Sequence, residues 1–115
     1  MEKSNSMSEQ PPVVMTFSGH DPSGGAGIQA DIQTLSSLGC HCAPIISTLT
    51  VQDSCSLYQV HPVSPEIIKQ QLTVLNNEFN FSAIKLGALG SAENAASIGQ
   101  LIQGLKKRNQ GISII

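Results

Sequence analysis

Short apolar segments alternate along this chain with segments whose apolar residues recur at helical spacing. Residues 13–17, 43–49, 83–86 and 111–115 are apolar runs without a helical period, which predicts four strands, the first of them buried on both faces. The more polar residues 50–63 leave room for additional strands. Such an alternation of strand and helix predicts an α/β fold with a mostly parallel central sheet and helices on its faces.

Three helices are predicted between these strands. The first ends at Gly39, since glycine favours the left-handed conformation that closes a helix. The second begins at the N-cap Ser64, with Pro65 in the first helical position, and the third begins at the N-cap Ser91. The stripes expected to face the sheet are Ile28, Ile32, Leu35 and Leu38 in the first helix, Ile68, Leu72, Leu75 and Phe79 in the second, and Ala95, Ile98, Ile102 and Leu105 in the third.

Residues 1–12 are polar, lack an apolar period and end in two prolines, which predicts a flexible tail before a domain over residues 13–115. No helix follows the last predicted strand in the sequence. Part of the sheet is therefore expected to be covered by a partner, such as a second copy in a homodimer, or by the remainder of a longer fold.

The composition narrows the class of ligand. With 6 Lys and Arg against 8 Asp and Glu, the formal net charge is −2, and no basic run offers the surface that nucleic acids or anionic membranes require. One Tyr, three Phe and no Trp leave few side chains on which bases could stack. We therefore expect a small-molecule ligand, no nucleic acid and no membrane.

The cysteines and the amino-terminal residues predict a cytoplasmic protein. Cys40, Cys42 and Cys55 match neither a common zinc motif nor a disulfide framework, so they are interpreted as reduced thiols that act as small apolar fillers. Residues 1–12 lack the apolar core of a secretory signal, and no segment approaches the roughly 20 apolar residues that span a bilayer.

The strongest local signal is the loop over residues 19–27, which contains four glycines and lies between a predicted buried strand and a predicted helix. Ligands of open α/β sheets bind at this carboxyl edge, where backbone N–H groups at a helix start can face a polar or anionic group. An ordinary strand-to-helix turn is the alternative interpretation. Four glycines together with an Asp-Pro pair favour a ligand site over that turn.

Nucleotide motifs give little support for a dinucleotide site. No phosphate-binding G-x-x-x-x-G-K-[ST] sequence occurs. Gly25, Gly27 and Ala30 match G-x-G-x-x-A, but the second strand, around Ser47 and Thr48, lacks the acid that would bind a ribose hydroxyl. A dinucleotide-binding half therefore stays open only as a weaker alternative.

Three motifs, in this order, resemble those of the hydroxymethylpyrimidine/phosphomethylpyrimidine kinases of thiamine biosynthesis, within the ribokinase-like superfamily. They are SGHDPSGGAGIQAD over residues 18–31, TLTVQD over residues 48–53 and KLGAL over residues 85–89. The resemblance covers residues 13–115 and corresponds to the amino-terminal portion of the family's domain. It implies a ribokinase-like, three-layer fold.

The resemblance implies ATP-dependent phosphorylation of 4-amino-5-hydroxymethyl-2-methylpyrimidine and of its monophosphate, with ATP and Mg²⁺ as cofactors. In the family, the carboxyl-terminal half holds most of the ATP site and the Gly-rich motif with the catalytic residue. This chain would then carry the substrate-binding part, with no catalytic residue and no metal ligand of its own. Alone it is expected to bind weakly and to turn over negligibly.

The implied substrate site comprises Gln52, Gly19, Asp21, Ala26, Asp31 and Ala88. The carboxamide of Gln52 would pair with the ring nitrogen and the exocyclic amine of an aminopyrimidine, since it both donates and accepts. The Gly19 and Ala26 backbones would serve the same ring, and Asp21 or Asp31 would orient the loop or the hydroxymethyl group. Ala88 stands where the family usually has Met, which leaves a gap beside the ring.

Two other functions remain open. A pyridoxal or pyridoxamine kinase shares the fold and also phosphorylates a hydroxymethyl group on a heteroaromatic ring, although Gln52 and the DPSGGAG sequence favour the pyrimidine. The chain could instead be a non-catalytic pyrimidine-binding fragment whose open sheet edge pairs with another subunit.

Overall fold

The structure is a computed structural model, and it describes residues 10–115. Most of the predicted tail, residues 1–9, lies outside the described residues. In chain order the elements are β1 (Val13–His20), α1 (Gly27–Ser37), β2 (His41–Gln52), β3 (Leu57–Pro62), α2 (Pro65–Glu78), β4 (Ala83–Leu86), α3 (Ala92–Arg108) and β5 (Ser113–Ile114).

The strands form one sheet in the order β3-β2-β1-β4-β5. All neighbouring pairs are parallel except β2 and β3, which form an antiparallel hairpin. The central strand β1 is buried from Val14 to Gly19, as expected for a strand covered on both faces. The predicted α/β fold with a mostly parallel central sheet is confirmed.

Helices cover both faces of the sheet, which gives three layers. Met15 and Phe17 of β1 lie on one face in a core cluster with residues of α2 and α3, including Ile68 and Ile98. Side chains alternate between the faces of a strand, so Thr16 of β1 points to the other face, where α1 packs on β1 and β2.

Side-chain caps fix the starts of α2 and α3 as predicted. The Ser64 hydroxyl accepts a hydrogen bond from the amide of Ile67 at 3.3 Å, and the Ser91 hydroxyl accepts one from the amide of Asn94 at 3.0 Å. The first helix has no such cap; its N-cap residue is Ala26. Its start is therefore determined by the preceding loop.

The predicted apolar stripes are correct in α2 and wrong at one residue in each of the other two helices. Leu38 follows the end of α1 and is 71% exposed, because α1 ends at Ser37 and the chain turns away from the sheet at Gly39. In α3, Ala95 is exposed and its neighbour Asn94 is buried in its place. Hydrogen bonds to three backbone carbonyls allow this polar side chain to occupy the inner face.

The ends of the strands differ from the predicted ranges. The second strand continues to Gln52, well past the predicted end at residue 49, and pairs with β3 in the segment where additional strands were expected. The last strand comprises only Ser113–Ile114, and it is exposed, whereas the adjacent Ile112 is buried.

The cysteines are all free thiols, but they do not share one environment. Cys42 is buried, and burial raises the pKa of its thiol. Cys40 is half-buried and Cys55 is exposed at the β2–β3 turn. The interpretation as apolar fillers is therefore confirmed for Cys42 and wrong for Cys55, whose backbone amide instead binds the Asp53 carboxylate of that turn at 2.8 Å.

Within residues 10–115, no helix combines the length and the apolar character needed to cross a bilayer.

Candidate ligand-binding site

A cavity of about 500 Å³ lies at the carboxyl edge of the sheet. It is open to solvent on one side and lined by the loop between β1 and α1, the carboxyl-terminal part of β2, the amino-terminal part of β3, and the loop between β4 and α3. Parallel strands end at the same edge, so residues far apart in the sequence meet there. The structure brings five of the six predicted site residues to this cavity: Gly19, Asp21, Ala26, Gln52 and Ala88.

The Asp21 carboxylate organises the glycine-rich loop from within. Its Oδ1 accepts hydrogen bonds from the Ser23 amide at 2.9 Å and from the Ser23 hydroxyl at 2.7 Å. These bonds hold the pKa of the Asp21 carboxyl below its ordinary value. Gly24 closes the same turn by donating its amide to the Asp21 carbonyl at 2.9 Å. Of the two roles considered for Asp21, the contacts match that of orienting the loop.

Gly27 closes the base of this loop and begins α1. Its φ of +64° lies in the left-handed region, and it forms a bridge to His20 at the end of β1. A Cβ atom at this position would run into the backbone carbonyl of Gly19. Glycine is thus required both by the backbone conformation and by the close approach of the two segments.

A short series of hydrogen bonds holds Gln52 in the wall of the cavity. The Gln52 side-chain amide donates to the Thr50 hydroxyl at 2.7 Å, and that hydroxyl donates to the His20 carbonyl at 2.7 Å. The carboxamide is therefore tied to β1 through one of its N–H groups. Its oxygen and its second N–H have no hydrogen-bond partner among the described residues, so they are available to a ligand.

The loop between β4 and α3 packs against Ser47 and Thr48 in the middle of β2. The Ser47 hydroxyl donates to the Ala88 carbonyl at 2.5 Å. Gly90 adopts φ +90°, and a Cβ there would lie 2.8 Å from the Cβ of Thr48. Ala88 is exposed and faces the cavity, so its small side chain leaves that wall open.

Asn94 supports this loop from below and is only 1% exposed. The two N–H groups of its Nδ2 are shared among the carbonyls of Ser47, Val63 and Leu89, at 3.2, 2.9 and 3.1 Å. One side chain thereby joins β2, the segment before α2, and the residue after Ala88.

Asp31 does not line the cavity. It lies in the second turn of α1 and faces the sheet, where its Oδ1 pairs with Nζ of Lys85 at 2.6 Å. Lys85 itself lines the cavity. The role predicted for Asp31 toward the substrate stays a prediction, and its contacts make it a partner of Lys85.

Sequence reasoning missed the contributions of Lys85, Thr50 and Asn94. Lys85 lies in the KLGAL motif and Thr50 in the TLTVQD motif, but nothing in the sequence assigns them partners. Asn94 carries no local signal, because its acceptors come from three separate segments.

Among residues 10–115, no three His, Cys, Asp or Glu side chains lie close enough together to hold a metal ion. Of the two carboxylates predicted for the site, Asp21 accepts hydrogen bonds from Ser23 of its own loop and Asp31 pairs with Lys85. The described residues therefore offer no preformed cluster of metal ligands.

Similarity to known proteins decides the family. The sequence model of the phosphomethylpyrimidine kinase family matches residues 21–111. The chain belongs to this family. Its match includes the glycine-rich loop from Asp21, Gln52 and the loop around Ala88.

Individual relatives agree with this assignment. A hydroxymethylpyrimidine/phosphomethylpyrimidine kinase of Salmonella typhimurium is 33% identical over 95 residues, which are 83% of this chain and 36% of that protein. The phosphomethylpyrimidine kinase of Clostridium difficile superposes with a TM-score of 0.77 at 32% identity, covering 90% of this chain and 44% of that one. The chain thus spans about a third of the length of that Salmonella relative.

A pyridoxal kinase of Staphylococcus aureus, solved in complex with AMP-PCP and pyridoxal, is also similar. It superposes with a TM-score of 0.69 at 29% identity and covers 82% of this chain and 35% of that one. The fold is therefore shared between kinases named for different compounds, and fold alone does not distinguish their substrates.

Proposed function

We propose that this chain binds 4-amino-5-hydroxymethyl-2-methylpyrimidine and its monophosphate, as the substrate-binding part of an ATP-dependent kinase of thiamine biosynthesis. One observation carries the proposal. The cavity at the sheet edge combines the glycine-rich loop, Gln52 and Ala88 in a chain that belongs to the phosphomethylpyrimidine kinase family.

The chemistry of Gln52 suits this ring. Its carboxamide oxygen accepts a hydrogen bond from the exocyclic amine, and its second N–H donates to the adjacent ring nitrogen. The tether through Thr50 to His20 holds the carboxamide in place before the ligand arrives, which lowers the entropic cost of binding. Gly19 and Ala26 also line the cavity, and we assign their backbone groups to the same ring.

Phosphoryl transfer needs groups that these residues do not supply. Transfer depends on positioning and on electrostatic stabilisation of the phosphoryl group. The described residues hold no cluster of three metal-ligating side chains, and we assign the ATP site and the catalytic residue to the part of the relatives that this chain does not cover. The proposed activity of the chain alone is therefore binding, without measurable turnover.

Isothermal titration of the chain with the pyrimidine tests the proposal. We expect a measurable affinity that falls about tenfold in Gln52→Ala, as for the loss of one or two hydrogen bonds at a buried ligand. Gln33→Ala, which changes an exposed glutamine of α1, serves as the matched control and leaves the affinity unchanged. No binding by the unaltered chain, or equal affinities of the two variants, would rule the proposal out.

Pyridoxal is the second candidate substrate, supported by the structural similarity to the Staphylococcus pyridoxal kinase. Competition titration separates the two, because both ligands would occupy the same cavity. The pyrimidine is expected to displace pyridoxal, since Gln52 presents a donor and an acceptor side by side. Tighter binding of pyridoxal would replace the proposed substrate.

A cytoplasmic location and a homodimer stay predictions. Sedimentation velocity of the isolated chain addresses the homodimer directly, and a stable monomer at micromolar concentration would contradict it.

A further inference from the structure

Lys85 supplies the cavity with a cation. It lies on β4 opposite Thr16 of β1, and its side chain reaches the carboxyl edge. Its side chain keeps 38% of its surface exposed. Among the described residues that line the cavity, it carries the only positive charge.

A buried carboxylate fixes the position of this ammonium group. Nζ of Lys85 lies 2.6 Å from Oδ1 of Asp31, whose side chain is 7% exposed. An ammonium group has three N–H donors, and this pair uses one of them. The other two have no partner among the described residues, so the lysine presents oriented donors without having to be ordered first.

The hydroxymethylpyrimidine and its monophosphate would interact differently with the Lys85 ammonium group. A phosphate monoester carries about −1.5 to −2 charges near neutral pH and has three strong acceptor oxygens. The hydroxymethyl compound is uncharged at the same position. The other carboxylate on the cavity wall, Asp21, is held by Ser23 in its own loop, so Lys85 is the side chain able to offset the charge of a phosphate.

We propose that Lys85 binds the phosphate of the monophosphate substrate and that Asp31 acts through it as a positioning residue. This inference rests on the proposed function. Under this assignment both substrates place their ring beside Gln52, and they differ in the contacts made by the hydroxymethyl group or by its phosphate ester. Selectivity for the monophosphate over the alcohol then depends on Lys85.

Titration of the full chain with each of the two pyrimidines tests this assignment. Removing a charge-assisted contact in Lys85→Met should weaken binding of the monophosphate about tenfold or more, while binding of the alcohol changes less than about threefold. Lys85→Arg keeps the charge and should restore most of the affinity for the monophosphate. Lys69→Met removes an exposed lysine of α2 and should leave both affinities unchanged.

Loss of Lys85 leaves Asp31 buried without a counter-ion, so a second variant guards against misfolding. Lys85→Met combined with Asp31→Asn replaces the pair by two neutral groups and should show the same selective loss for the monophosphate. Equal losses for the two ligands in this folded double variant would overturn the role of Lys85 and leave the proposed function intact. If the unaltered chain binds neither pyrimidine, the proposed function fails and the inference fails with it.

Discussion

Replacing Asn94 by alanine is the sharpest test of how the cavity is supported. The change removes the side-chain amide that donates to the carbonyls of Ser47, Val63 and Leu89. The Ser47 carbonyl keeps a second donor, the amide of Val63 at 2.9 Å. The other two carbonyls lose the donor that Asn94 provides.

The loss of unfolding free energy in Asn94→Ala depends on how far the carbonyls of Val63 and Leu89 are left without a donor. A buried acceptor left without a donor costs about 1–3 kcal/mol. Val63 and Leu89 are half-buried, so water can reach them in part and the lower end of the range applies. Oδ1 of Asn94 is itself buried without a partner, and its removal offsets some of the loss. We expect Asn94→Ala to lower the free energy of unfolding by about 1–2 kcal/mol.

Asn94→Asp separates hydrogen bonding from packing, because it preserves the shape of the side chain. A carboxylate would place acceptors against three carbonyls and bury a charge without a partner, so its destabilisation should exceed that of the alanine variant. Urea unfolding followed by circular dichroism measures both, with Gln100→Ala on the exposed side of α3 as the control. A loss below about 0.5 kcal/mol in Asn94→Ala, or an aspartate variant as stable as the alanine one, would refute the hydrogen-bonding account.

Three further predictions concern other parts of the chain. Gly27→Ala should destabilise the protein by more than about 1 kcal/mol, because φ is +64° and a Cβ would collide with a backbone carbonyl of β1. Gly99→Ala, where a Cβ on α3 meets open space, should instead stabilise it by up to about 1 kcal/mol. Urea unfolding measures both variants, and the opposite order of stability would contradict the loop geometry. Hydrogen bonds hold the pKa of the Asp21 carboxyl in the folded protein below 3.8. The contribution of this carboxylate to stability is therefore present above pH 3.8 and is lost as the pH falls through the pKa of the folded state. NMR titration of the carboxyl carbon measures that pKa, and a folded-state pKa at or above 3.8 would disprove the prediction. Timed alkylation with mass spectrometry should label Cys55 before Cys42, which is buried with a raised thiol pKa, and equal rates would contradict that burial.

The sequence predicted the elements best where a local pattern carried the signal. The N-caps Ser64 and Ser91 are recognised from their residue type and from the helical pattern that begins beside them, and both hydrogen bonds are present. The apolar stripe of α2 was correct because its buried positions are apolar. In α3 the same reasoning placed Ala95 inside, since no rule based on hydrophobicity selects a buried Asn94.

Element ends were less predictable, because they depend on pairing between strands. The second strand extends to Gln52 since β3 returns beside it in antiparallel register. Residues 50–52 are too polar to be recognised as a strand by themselves, yet this extension carries Gln52 to the wall of the cavity.

The candidate site shows the same division between local and long-range information. The three motifs lie in segments that meet at one cavity, and five of the six named residues lie on its wall. Asp31 was the exception, because the orientation of a residue in the second turn of α1 depends on how that helix packs against β1 and β2. That packing turns Asp31 toward Lys85, 54 positions later in the chain. The ion pair holds a cation at the cavity wall, which the net charge of −2 of the whole chain does not indicate. Through the phosphate contact proposed for Lys85, the packing of α1 on the sheet controls substrate selectivity as well as stability.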